Sequence, residues 1–169
     1  MGAAVRDNVM LPLDAETRAA ERPEDHKDEL RLWLRLLTCT TLVESEVRRR
    51  LRDGFALTLP RFDLMAQLER APEGLTLGEL SRRLMVSNGN VTGLVERLVE
   101  DGQLVRLPYP PDRRVVLVRL TEAGRAAFAR MARAHAAWIG ALLAGLSADE
   151  LRQLLLLLGR LKQSVQAAR

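Results

Sequence analysis

Apolar residues recur along this chain at helical spacing in several separate runs. From Glu24 to about Arg52, Leu30, Trp33, Leu34, Leu37 and Thr41 fall on one side of a helix. Leu32, Leu36, Cys39, Val43 and Val47 fall on roughly the opposite side. A helix apolar on two faces is expected to lie buried between two bodies, of which one could be its own domain and the other a second subunit. Gly54 and Pro60 mark its end, and Phe62, Met65 and Leu68 predict a short helix in "RFDLMAQLERA". The stretch "LTLGELSRRLMVSNGNVTGLVERLVEDG" then carries two helices. Thr76 and Glu79 form a T-x-x-E capping box opening a helix to about Leu84. Ser87 caps a second helix that runs to about Asp101 and stops at Gly102. Two short helices joined by three or four residues read as a helix-turn-helix.

Beyond it the pattern changes. Leu104 to Leu107 and Val115 to Leu120 read as strands, with "PYPPDR" as the hairpin loop. Thr121 caps a long helix over roughly Glu122 to Ala144, and Ser147 with Glu150 opens another through a second capping box. The run "LRQLLLLLGRL" is apolar nearly all round, which predicts burial against another subunit. The predicted fold is mostly α with a small β-hairpin wing (α+β). It is a winged helix-turn-helix domain with an N- and C-terminal helical dimerisation layer. The segments expected are an arm over 1–23, a dimerisation helix over 24–60, the winged domain over 61–120 and C-terminal dimerisation helices over 121–169.

The reading helix of the motif has an informative face. Val91, Leu94, Val95 and Leu98 lie at i, i+3, i+4 and i+7 and point inward. The other side offers Gly89, Asn90, Thr92, Gly93, Glu96 and Arg97, with Ser87 and Asn88 at the N-terminus. Amides and hydroxyls bond base edges and phosphates, and a helix N-terminus favours an anion. Gly89 and Gly93 each cost about 1 kcal/mol against alanine in a helix interior. Two readings fit them: close approach of the helix to DNA, or a tolerant exposed face. In the hairpin, "PPDRR" places Arg113 and Arg114 beside Asp112. Arginine suits a narrow minor groove, and an aspartate holds a guanidinium in a fixed direction. A solvated charged turn is the plainer reading of the hairpin taken alone. A reading helix directly before it favours a nucleic-acid contact.

Composition narrows the classes. Of the 169 residues 47% are hydrophobic, so a substantial core is possible, and no stretch reaches the ~18 uninterrupted apolar residues of a membrane span. The first residues carry neither a secretory-signal pattern nor a fitting myristoylation motif, because position 6 is Arg. One cysteine, Cys39, allows no internal disulfide. These features fit a cytoplasmic protein, and no membrane partner is expected. The net charge is +4, and residues 1–30 hold eight acids and four bases, leaving +8 from Arg31 onward. That basic body fits a polyanionic partner or an ordinary basic protein. Two histidines and one cysteine give no metal-ligand spacing. No Ser/His/Asp set, phosphate-cradling glycine loop or acid/base pair stands out, so no enzyme and no cofactor are expected.

Residues 75 to 125 resemble the MarR family of bacterial transcription regulators. The distinctive pattern is D-x-R…L-T-x-x-G, carried by Asp112, Arg114, Leu120, Thr121 and Gly124. The flanking helices match in order and length, so the resemblance covers about residues 26 to 166. It implies a triangular homodimer joined by its terminal helices, a winged domain at each lower corner, and binding to palindromic double-stranded DNA. It makes Arg114 the minor-groove arginine of the wing, Asp112 its supporting acid, and residues 87 to 97 the recognition helix. Many relatives carry Arg or Lys where this chain has Gly93; Arg82, Arg83 and Arg97 are the nearby residues that could compensate.

The resemblance also implies a repressor released by a small molecule, commonly an aromatic acid, bound between dimer layer and winged domain. Trp33 and Arg35, with His26 near the helix start, are the residues expected to stack a ring and meet a carboxylate, although core packing is the plainer role for Trp33. Another branch senses oxidants through a cysteine in the first helix. Cys39 lies there, on an apolar side that predicts a buried, inert thiol, and no second cysteine resolves a sulfenic acid. A winged-helix protein-interaction module without an operator is the alternative from a different class.

Overall fold

The computed structural model of the chain describes residues 28–109 and 112–168, the side chains of 112–114 excepted. His26 and the arm over 1–23 lie outside the described residues. The chain divides into two compact units, one ending at Phe128 and the other beginning at Ala129.

The first unit contains α1 (Asp28–Phe55), α2 (Leu59–Glu69), β1 (Leu75–Thr76), α3 (Leu77–Leu84), α4 (Asn88–Glu100), β2 (Leu104–Tyr109), β3 (Asp112–Leu120) and the start of α5 (Glu122–Leu142). The second contains the rest of α5 and α6 (Ala148–Ala167). This is the helix-rich winged arrangement that the hydrophobic pattern predicts.

Gly54 does not break α1. The helix runs through it to Phe55 and turns at Ala56, whose φ is 50°. The N–H of Ala56 donates to the Arg52 carbonyl (3.0 Å) and that of Leu57 to the Leu51 carbonyl (3.3 Å), so left-handed closure ends the helix. Pro60 starts α2 rather than ending α1, in a first turn that needs no N–H from it.

The sheet has the order β1-β3-β2, antiparallel throughout. β1 is unforeseen: two residues are too few to show a period, yet Leu75 and Thr76 pair with Val118 and Leu117. The hairpin strands also exceed expectation. β2 takes in Pro108 and Tyr109, and β3 starts at Asp112, so only positions 110 and 111 separate them. Pro108 is tolerated because β2 is an edge strand, and the register is irregular between Pro108 and Tyr109.

Leu51, Leu64, Met65, Leu80, Leu98 and Val118 are fully buried and bring α1, α2, α3, α4 and the sheet around one core. Burying each such side chain contributes about 1.5–3 kcal/mol. Phe62 of α2 packs against Phe128 of α5, the rings tilted by 34° with centroids 5.4 Å apart.

The first half of α1 departs from expectation. Only Thr38, Val47 and Leu51 of this helix are buried. Leu30, Leu32, Trp33 and Leu42 are exposed, and so is Cys39. The thiol predicted to be buried is therefore accessible in the single chain, because its side of the helix closes only farther along, at Val47. Core packing of Trp33 is likewise absent, its exposure being 58%. In the second unit α6 has no buried residue, and Leu154, Leu155, Leu156, Leu157 and Leu158 are exposed.

Candidate nucleic-acid interface

The helix-turn-helix is assembled by local chemistry. Thr76 accepts the Glu79 N–H (3.2 Å), while the Glu79 carboxylate accepts from the Thr76 N–H and hydroxyl, both at 2.8 Å. Those hydrogen bonds hold the Glu79 carboxyl below its ordinary value, and Arg82 and Arg83 push the same way. The reciprocal cap fixes the start of α3. The turn that follows is closed by Ser81, whose carbonyl accepts the N–H groups of Met85 and Val86 and whose hydroxyl donates to the Val86 carbonyl (2.6 Å). Ser87 then caps α4 by accepting the Asn90 N–H at 3.4 Å.

α4 is anchored by Val91, Val95 and Leu98, all buried, with Leu94 half-buried. Opposite them Ser87, Asn88, Gly89, Asn90, Gly93 and Arg97 are exposed. Thr92 is half-buried and its hydroxyl donates to the Asn88 carbonyl (3.0 Å), so its donor is already engaged within the helix. Glu96 is drawn aside by Arg106 of β2 at 3.7 Å, which leaves the amides and Arg97 as the main polar groups of the outer face. A Cβ built on Gly89 or Gly93 meets nothing within 4 Å, so the fold itself does not require glycine at either position.

Beside this face lies an open concavity of about 610 Å³, lined by Thr58, Pro60 and Arg61 from the start of α2 and by Val86, Gly89, Asn90, Gly93, Leu94 and Arg97. Arg61 sits 3.7 Å from Asp101, at the far end of α4. Sequence reasoning missed Thr58, Pro60 and Arg61, because nothing local links them to a helix some 30 residues on. Arg82 and Arg83 are exposed on the last turn of α3 and flank Glu79 in a second, smaller depression.

At the wing, Asp112, Arg113 and Arg114 open β3 rather than forming a loop; their side chains lie outside what is described. The root of the wing is tied to α5. The Thr121 N–H donates to the Gln103 carbonyl (3.0 Å), and its hydroxyl is shared between the carbonyls of Gly102 (2.8 Å) and Gln103 (3.2 Å). The same oxygen accepts the Gly124 N–H at 2.9 Å. The L-T-x-x-G part of the motif is therefore a joint in the fold, not a contact surface.

Of the residues expected at a ligand site, Trp33 and Arg35 are among those described. Trp33 and Arg35 are exposed on α1, and two residues apart on a helix they project from different faces. His26 lies outside the described residues. Among the described residues no group of three or more His, Cys, Asp or Glu could hold a metal ion.

Comparison with known proteins adds to this geometry. Residues 57–116 match the model of the MarR family. The chain is 30% identical over 145 residues to the HTH-type transcriptional regulator PecS of Dickeya dadantii, covering 85% of this chain and 87% of PecS. It is 35% identical over 111 residues to the transcriptional activatory protein BadR of Rhodopseudomonas palustris, covering 63% of each, so the match spans less than two thirds of that relative. Among solved structures, a mutant MarR from E. coli complexed with operator DNA superposes with a TM-score of 0.68 at 29% identity, covering 79% of this chain and 96% of that one. These relatives are transcriptional regulators, not enzymes.

Proposed function

Because the chain belongs to the MarR family and is a DNA-binding transcriptional regulator, we propose that it acts as a homodimeric repressor that leaves a palindromic operator when a small ligand binds. The observation that carries this reading is the outer face of α4, which presents exposed amides and an arginine with no bulky side chain, while Val91, Val95 and Leu98 hold the helix from behind. Asn88, Asn90 and Arg97 are the base- and phosphate-contacting groups; Ser87, Gly89 and Thr92 shape the helix entry; Arg82 and Arg83 meet the backbone. Arg114, positioned by Asp112 and accompanied by Arg113, enters the minor groove.

Two copies are needed because two reading helices must enter major grooves about one turn, ~34 Å, apart. The exposed leucines of α6 and the exposed apolar residues of the first half of α1 support a second copy as their cover. In segment terms, 24–60 and 121–169 form the dimerisation layer and 61–120 the reading domain. BadR is named an activator. The sign of regulation follows from where the operator lies relative to the promoter, and a dimer seated on DNA blocks access without any further surface. The site of action is the cytoplasm, with the chromosome.

A ligand releases the dimer only by binding its splayed form better than its DNA-bound form. Thermal-shift screening against aromatic acids tests this: a ligand at a hundred times its dissociation constant adds about 2.7 kcal/mol of stability. The decisive experiment is an electrophoretic mobility shift with fragments of the protein's own genome, alongside light scattering for mass. Specific retention by a dimer is expected, with Arg114→Ala weakening it by about 1–3 kcal/mol. A monomeric protein, or one that retains no fragment at low salt, would overturn the reading.

A further inference from the structure

Met85 stands at the leading end of the reading helix, and nothing in the fold accounts for it. Its side chain is 91% exposed. Its backbone is left-handed, with φ 54° and ψ 39°, at the position that closes α3. Glycine is the common occupant of such a position, because a Cβ is disfavoured there. The turn makes no use of the thioether: Ser81 closes it through its carbonyl and hydroxyl, bonded to backbone groups of Met85 and Val86. A large apolar side chain is thus held in water, against backbone preference, two residues before the Ser87 cap of α4. Val86, 37% exposed, continues the apolar surface into the concavity beside Gly89 and Gly93.

The neighbouring groups, Asn88, Asn90 and Arg97, match the polar edges of bases. The apolar mark that a major groove displays is the C5-methyl group of thymine. We propose that Met85, backed by Val86, is a specificity-determining residue that packs against a thymine methyl group in the operator. This rests on the reading of α4 as the DNA-facing helix, and it names the base feature that the apolar end of that helix recognises.

The test begins with selection of duplexes from a random oligonucleotide pool by the full-length wild-type chain. Each thymine of the selected duplex is then replaced in turn by deoxyuridine, which lacks only the methyl group. Affinities are read by fluorescence anisotropy for the wild type and for Met85→Gly, and both proteins are melted. For at least one thymine the wild type should bind the deoxyuridine duplex about fourfold more weakly, the worth of one buried methyl group. Met85→Gly should bind both duplexes equally and melt no lower than the wild type. The inference is overturned if the wild type ignores every deoxyuridine, if both proteins lose affinity alike, or if the variant melts lower, which would show the side chain serving the fold. A wild type that selects no duplex removes the DNA reading itself; one that binds but ignores the methyl removes only this inference.

Discussion

Replacing Gly124 by alanine should destabilise the protein through a steric clash inside the fold. A Cβ there would lie 2.0 Å from the Gln103 carbonyl oxygen and 2.9 Å from its carbon. An ordinary C···O contact is about 3.3 Å, so one backbone must retreat by roughly 1 Å. The Gln103 carbonyl cannot retreat cheaply, since it accepts the Thr121 N–H at 3.0 Å and shares the Thr121 hydroxyl. Losing two or three such hydrogen bonds costs about 1 kcal/mol each. The better helix propensity of alanine offsets up to about 1 kcal/mol. The net loss is about 1–3 kcal/mol, which lowers the melting temperature by roughly 3–9 °C in a chain of this size. Thermal unfolding followed by circular dichroism at 222 nm reads it directly. A Gly124→Ala protein that melts with or above the wild type would refute the steric argument.

The same substitution at Gly93 should act in the opposite direction. With nothing within 4 Å of the added Cβ, Gly93→Ala gains up to about 1 kcal/mol of stability and, if DNA approaches closely, loses operator affinity in the same preparation. Arg97→Ala should weaken binding to all sequences alike and reduce the slope of log affinity against log salt by about 0.9; an unchanged slope would take Arg97 off the phosphates. For pH, the Glu79 carboxyl titrates below its ordinary 4.5 in the folded chain. Its stabilisation is therefore complete above that value and drains away as pH falls toward the depressed one. Urea midpoints measured down the acid range should fall less steeply for Glu79→Ala than for the wild type, and parallel curves would contradict the capping account.

Much of the reading unit was legible because its signals are local. Thr76 with Glu79, and Ser147 with Glu150, each satisfy two helix-end groups within four residues, and both boxes form. The inward row Val91, Val95 and Leu98 announces its own burial through its spacing. What failed was information that spacing does not contain. Periodicity told which side of α1 carries Cys39 and Leu32, not whether anything in the chain covers it. Prolines argued against strand at Pro108, but an edge position tolerates one. β1 gains its pairing from β3, about 40 residues away. The concavity is lined jointly by Arg61 of α2 and Arg97 of α4, which are far apart in sequence. The left-handed turn at Met85 looked like a plain connection, since its glycine-like geometry is occupied by a residue that does not advertise it.

The division between the two compact units falls inside α5, between Phe128 and Ala129. Within the first of them, the opening turn of that helix is bolted to the root of the wing by one hydroxyl: Thr121 donates across to the carbonyls of Gly102 and Gln103 and accepts from Gly124. A single oxygen is thus the rivet of two elements, and loosening it would free the foot of the hairpin and the start of the helix together.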